Sequence, residues 1–551
     1  MKKVIALALL MLLTSCADEN DPKTWVKRLD DPAQRAPAIK RLDQFFNDTM
    51  GSAGNNREDP KVKALLDDSV EPLAKTYTAG GLDEKTRKDL IKLLGDMGDP
   101  RAAPAFAKAF KDFESGKTDD DVKYASQGTT RLAKENHLTD QALIDALWEC
   151  FSKFQPSKNT KSINLVKDLV NAVKTVKHPS YGPKAVALLA APVKDPKDPS
   201  ESMDQIQFWQ QTAAQLIGDI KYTAGIRPLV TVLLTPTKKD LTFPVRLALH
   251  KMPKESEPVL ISALKAEGDF GPLAGAYPEK AYVALVAEPL AYISRPAGLG
   301  AVLDSLGSAD NDGNRAMLAS YLTYWPPEPR STSAFTNAAA RIAPNAAIAL
   351  AGGMNGHAVL AGNAAGFMDP SMTDWVVKEI ANAKGEGIAE SIQSSGSIAA
   401  IKLMMPEQAK SVGDTINAKI QGQATEKDMF KAASNVLDKC KKNTGCYLDF
   451  IGTPIPSAPA AAKMGHVKAV WMIAMTGNEG DKGKLFDKLV NIKDRAVRLP
   501  ICEAIDHLSP KGDAALGDKL EKLVDTEVAA GNKDGTDEMY RIALKLRSRV
   551  P

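Results

Sequence analysis

From Thr24 onward the chain alternates short apolar-periodic stretches with polar turns carrying Gly, Asn, Asp or Pro. Apolar residues return every three or four positions, as in Ala38-Ile39 with Leu42 and in Leu485-Phe486 with Leu489-Val490, while alternating β-branched runs are scarce. That spacing places side chains on one face of a helix, whereas a half-buried strand needs a period of two. The pattern predicts an all-α chain of short amphipathic helices from residue 24 to the C-terminus.

Two stretches share a longer pattern. Leu93-Leu94-Gly95-Asp96-Met97 leads through Asp99-Pro100-Arg101 to Pro104, and Leu216-Ile217-Gly218-Asp219-Ile220 leads to Arg227-Pro228. Each reads as a helix closed by Gly, which takes left-handed dihedrals without a Cβ clash. A polar turn follows, then a Pro whose missing N–H costs nothing in a first helical turn. Gly95 and Gly218 lie 123 positions apart, three periods of about 41. Weaker copies occur around His178-Pro179, Arg246 to Met252, Leu290 to Pro296, Val467 to Asp481 and Arg498 to Asp513.

On these residues the chain resembles HEAT-repeat proteins, whose units are helix–turn–helix pairs of about this length. The resemblance implies a right-handed α-α superhelix, a HEAT-like solenoid of roughly a dozen helix pairs, in which neighbours bury faces that no single pair buries alone. Two departures stand out. Residues 51–60 (GSAGNNREDP) form a polar loop inside the first unit. Residues 338–368 are rich in Ala and Gly, read either as close helix packing or as a stretch approached by a ligand. They are expected to separate an N-terminal arm, 24–337, from a C-terminal arm, 369–551.

The first residues read as an address. Met1-Lys2-Lys3 is positively charged and Val4 to Leu13 is apolar, too short for the ~20 residues of a membrane span and suited to a signal peptide. Leu13-Thr14-Ser15-Cys16 resembles the bacterial lipobox. The resemblance implies removal of residues 1–15, lipidation of Cys16, a short tether over 16–23 and residence in a bacterial cell envelope. Asp18 resembles a signal for retention at the inner membrane.

Charge and composition narrow the chemistry. Lys+Arg 71 against Asp+Glu 68 gives a net charge of +3, with no basic excess for nucleic acid and no acidic tail. No glycine cluster has the spacing of a phosphate-binding loop, no Ser sits in a Gly-x-Ser-x-Gly elbow, and the six His are scattered, so no catalytic, cofactor or metal set is assigned. Carboxylate runs such as Asp67-Asp68 and Asp119-Asp120-Asp121 read as solvated faces. Cys440 and Cys446 flank a turn and, in an exported chain, are expected to form a disulfide. Cys150 and Cys502 read as buried small apolar residues. Tyr321, Tyr324 and Trp325, clustered with Pro326 and Pro327 in a chain only 6% aromatic, are either packing at an irregular turn or anchors for a partner.

These observations point to a membrane-anchored, non-catalytic scaffold for one or more envelope proteins. The alternatives are a HEAT-like lyase or small-molecule binder, and a purely structural envelope protein.

Overall fold

A computed structural model describes residues 18–158, 163–193, 202–348, 352–420 and 424–550. The signal segment and Cys16 lie outside the described residues. The chain is an all-α helical solenoid, and it divides into two units, Met1–Tyr222 and Thr223–Pro551.

In the first unit helices alternate between two layers. Arg35–Ser52, Glu84–Met97, Asp119–Lys134 and Ile163–Val176 pack in succession, and so do Pro22–Lys27, Pro60–Ala79, Ala103–Lys111 and Gln141–Lys153 on the other side. Their starts are set by short polar side chains that take orphan N–H groups. Asp59 accepts from Lys61 N at 2.8 Å, Asp83 from Thr86 N at 3.0 Å and Asp140 from Leu143 N at 2.8 Å. Pro60 follows its cap directly, where its missing donor is harmless.

Two sequence expectations are revised here, the helix-ending glycines and the solvated Asp121. Gly95 does not end its helix, because Gly98 does, with φ 60°. Gly95 is buried in the last turn of the helix, where a Cβ would lie 3.1 Å from the Tyr124 carbonyl oxygen. A Cβ on Gly128 would likewise lie 3.1 Å from Gly95 Cα, so the two glycines mark a close crossing of Glu84–Met97 and Asp119–Lys134. Gly218 is also buried inside its helix, and the left-handed residue beyond it is Lys221. The 51–60 stretch docks on the C-terminal end of Glu84–Met97: Arg57 donates to the Asp96 and Met97 carbonyls, and Arg131 donates to Gly95 O at 2.8 Å. Cations at a helix C-terminus satisfy carbonyls that have no intrahelical donor. Asp121, read as solvated, is buried and accepts from Tyr77 Oη at 2.6 Å and Arg87 Nε at 2.7 Å.

The second unit has an inner layer of ten successive helices among the described residues, each packed on the one before. They are Ile226–Leu233, Pro253–Leu264, Tyr282–Ile293, Asp312–Tyr321, Gly356–Asn363, Ile388–Leu403, Ala424–Cys440, Met464–Thr476, Arg495–His507 and Thr536–Ser548. An outer layer, running from Pro296–Gly307 to Ala514–Ala529, backs them, and Thr242–His250 packs on Tyr282–Ile293 at the cavity side. Successive inner helices begin about 27 to 44 residues apart, so the period of about 41 does not hold through this unit. The last inner helix, Thr536–Ser548, packs against Tyr282–Ile293, and the inner layer thereby closes on itself. Met464–Thr476 also touches Ile388–Leu403, two positions back in the layer. Every residue from Met464 to Ala474 is buried, His466 and Lys468 included, and Lys468 Nζ donates to Lys402 O at 2.7 Å.

Residues 338–368 do not divide the chain; they lie within the second unit. The described part holds a minimal antiparallel pair, Ala347–Ile348 with Met354–Asn355, and the inner helix Gly356–Asn363. Ala358 and Ala361 pack on Ile392 of the next inner helix, and small side chains allow that approach.

Candidate functional site

Closure of the second unit leaves a cavity of about 250 Å³ against its inner helices. Its charged lining comes from three of them. Ile388–Leu403 supplies Lys402, Arg495–His507 supplies Glu503 and Asp506, and Thr536–Ser548 supplies Arg541 and Lys545. Tyr324, Trp471 and Gly366 form part of the remaining wall.

One side of this set is fully paired. Asp506 forms ion pairs with Lys545 and with Arg549, the latter at 2.9 Å. Burial works to raise the Asp506 pKa, but the two cations outweigh it and hold the carboxyl below its usual range. Lys545 also donates to Tyr324 O at 2.8 Å, and burial brings its pKa down to about 8 despite Asp506. Arg549 reaches Ser294 Oγ at 2.7 Å. Nearby, Glu257 accepts from Arg295 Nε at 2.9 Å and Gly298 N at 2.8 Å, and Trp325 Nε1 donates to Arg295 O at 2.8 Å. These bonds hold the closure and fix the cavity wall.

The other side is unpaired. Among the described residues, Lys402, Arg541 and Glu503 make no ion pair or side-chain hydrogen bond. Lys402 Nζ sits 4.7 Å from the centre of the Trp471 ring, and the Arg541 guanidinium lies 5.2 Å from Tyr292 and 5.7 Å from Tyr324. Both cations thus rest on aromatic faces, an attraction that leaves their N–H donors unused. Glu503 is open to the cavity, yet protein surrounds it closely enough to raise its pKa, with Lys402 and Arg541 opposing the rise. Burial lowers the Lys402 pKa.

Two further cavities share these walls. One, of about 410 Å³, shares Tyr324 and Arg541 and reaches Phe243, which is 65% exposed. The other, of about 770 Å³, shares Lys402 and Glu503 and extends to Lys463 and Arg495. Together they form a recessed surface of charged, aromatic and apolar groups along the inside of the second unit.

Of the residues singled out from sequence, Cys440 and Cys446 are disulfide-bonded, with Cα atoms 5.4 Å apart, across the turn between two helices. Cys150 and Cys502 are free and buried, and burial raises both thiol pKa values. Tyr321 and Trp325 are buried, so they offer no exposed anchor for a partner; Tyr324 is half-buried in the cavity wall. Tyr321 and Trp325 thus pack inward, while Tyr324 faces the cavities. No group of three metal-ligating side chains occurs among the described residues, and none of their helices is long and apolar enough to cross a membrane.

The charged lining was absent from the sequence reading, although one signal was there. Arg541, Lys545 and Arg549 recur every four residues, which stacks three cations on one helix face. The intervening Ile542, Ala543, Leu544 and Leu546 are buried too. A row of cations set among buried apolar residues of one helix marks a recessed electrostatic site.

Fold and site together define an all-α helical-repeat protein with a recessed charged surface. No protein-family model matches the chain, and no curated protein is similar to it. Among solved structures, an engineered protein aligns over 96% of this chain and 99% of its own at 15% identity and a TM-score of 0.18. SYS-1 aligns over 96% of this chain and 100% of its own at 11% identity and a TM-score of 0.26. Superpositions this loose carry no argument about fold or function.

Proposed function

We propose that the chain is a lipid-anchored protein of a bacterial envelope, a non-catalytic scaffold that receives an envelope protein along the inner surface of its second unit. The observation that carries this reading is the run of cavities with shared walls, in which Lys402, Glu503 and Arg541 present unsatisfied charge beside exposed Phe243. Recessed surfaces with a few polar groups and an aromatic rim are where binding sites concentrate. The sequence Leu13-Thr14-Ser15-Cys16 supports the anchor, which would confine that surface to the membrane and raise the effective concentration of anything held there.

Photo-crosslinking in the native envelope from a reactive residue placed at Phe243 tests the scaffold. One dominant captured protein, lost when Arg541 is replaced by Glu, supports it; diffuse capture that ignores Arg541→Glu ends it. Replacing Cys16 with Ala tests the anchor separately, since the protein should then leave the membrane fraction.

A further inference from the structure

The central cavity has chemistry of its own, independent of anchoring or of any protein partner. Its charged lining is Lys402, Arg541 and Lys545 against Glu503 and Asp506. Arg549 joins Lys545 on Asp506 from behind the wall. Counted together these groups leave a surplus of two positive charges. One of these charges belongs to Lys545 and Arg549 on Asp506; the other belongs to Lys402 and Arg541 beside Glu503, and these two cations lack any hydrogen-bonded anion among the described residues. Glu503 acts electrostatically on both but makes no hydrogen bond to either. Unpaired cations in a recess are costly unless something neutralises them.

We propose that this cavity binds a compact organic anion bearing one or two carboxylates, held by Lys402 and Arg541. Carboxylate is favoured because guanidinium presents paired N–H donors that match its two oxygens. Here the Arg541 guanidinium is held on the Tyr292 and Tyr324 faces with its donors unused. The occupant is compact because about 250 Å³ falls below the range of drug-sized sites. Aromatic faces of Trp471 and Tyr324 flank the cations and leave room for a short apolar spacer. Glu503 sets a ceiling on affinity, since a ligand carboxylate must sit near a like charge.

The test is calorimetric titration of the full mature chain in detergent with succinate, and in parallel with inorganic phosphate and with putrescine, a diamine of matching length. Saturable binding of succinate, absent with putrescine, supports the site. Lys402→Gln and Arg541→Gln should each weaken it at least tenfold, while Glu503→Gln should tighten it several-fold. A purely structural role for Glu503 would not give that gain. Neither cation has an ion-pair partner to strand, so both variants should keep the wild-type melting temperature without ligand. The inference is overturned if putrescine binds and succinate does not, if phosphate alone binds, if no probe saturates, or if Glu503→Gln weakens succinate.

Discussion

Arg549 donates from Nε to Ser294 Oγ at 2.7 Å, joining residues 255 positions apart in the chain. Ser294 is the left-handed residue that ends Tyr282–Ile293, with φ 53°. Next to this bond Ser548 Oγ donates to Ile293 O at 2.7 Å, and Arg295 donates to Ser548 O. The same Arg549 is ion-paired with Asp506. One side chain therefore ties the C-terminal helix to a helix near the start of the second unit and to the carboxylate that neutralises it.

Replacing Arg549 with Met should cost about 1–3 kcal/mol, because it removes the bond to Ser294 and one of the two cations on Asp506 while Lys545 still compensates that carboxylate. Ser294→Ala removes one hydrogen bond and should cost only about 1 kcal/mol. Urea denaturation measures both, and hydrogen exchange locates the damage. Amides of Tyr282–Ile293 should lose protection in Arg549→Met, and a loss under 1 kcal/mol would show that the closure is held elsewhere.

The crossing of Glu84–Met97 over Asp119–Lys134 gives a second prediction. A Cβ at Gly128 would lie 2.5 Å from Phe106 Cζ and 3.1 Å from Gly95 Cα. Gly128→Ala should therefore destabilise the first unit by about 1–3 kcal/mol despite the better helix propensity of Ala. Gly51→Ala, at a helical position with nothing within 4 Å, should stabilise by up to about 1 kcal/mol. Thermal melts of the two variants should move in opposite directions.

These two sites show what the sequence could and could not disclose. Helices and Pro-led starts were legible because they depend on residues a few positions apart, as Pro104 and Pro296 illustrate. The Gly95 misreading came from the same local logic: a Gly before Asp looks like a terminator, and only the neighbouring helix reveals that it serves a close approach. Closure through Arg549 and Ser294 has no local signature, because periodicity carries no information about which distant helix receives a face. The cavity depends on that closure, so its lining was hidden except for the four-residue spacing of Arg541, Lys545 and Arg549. In the aromatic cluster, composition did not tell inward-packed Tyr321 and Trp325 from Tyr324, which lines the cavity.

The Cys440–Cys446 bond closes a loop of seven residues between Ala424–Cys440 and Thr444–Ile451. On the chain-entropy account so short a loop contributes roughly 2 kcal/mol. Cys446→Ser, or melting under reducing conditions, should lower stability by that amount. Asn443 should keep capping the second helix through Cys446 N, at 3.1 Å, so helix content should be unchanged. A variant as stable as the oxidised wild type would show that the bond contributes nothing.

Acid should weaken the second unit through His250. This residue is buried at the end of Thr242–His250, its ring centre 6.5 Å from that of Tyr292 and its Nε2 without a partner among the described residues. Burial first, then the nearby Arg541 and Lys545 cations, bring its pKa down to about 3. In the unfolded chain the ring should titrate near its ordinary value of about 6.5. Between those values the unfolded state holds the extra proton, so stability rises with pH across the window and is lost as pH falls below about 6.5. From neutral pH to about pH 5 the loss from this group should be about 2 kcal/mol. His250→Leu removes the titration while leaving Asp506 and the other acids in place, so the difference between wild type and variant isolates the histidine. Urea denaturation at the two pH values should show that difference moving against the wild type by about 2 kcal/mol in acid. In parallel, the His250 ring resonances should stay in the neutral form down to about pH 4. A stability difference that does not change with pH, or a ring that titrates near 6.5 in the folded protein, would place His250 in contact with water and remove it as the source of acid sensitivity.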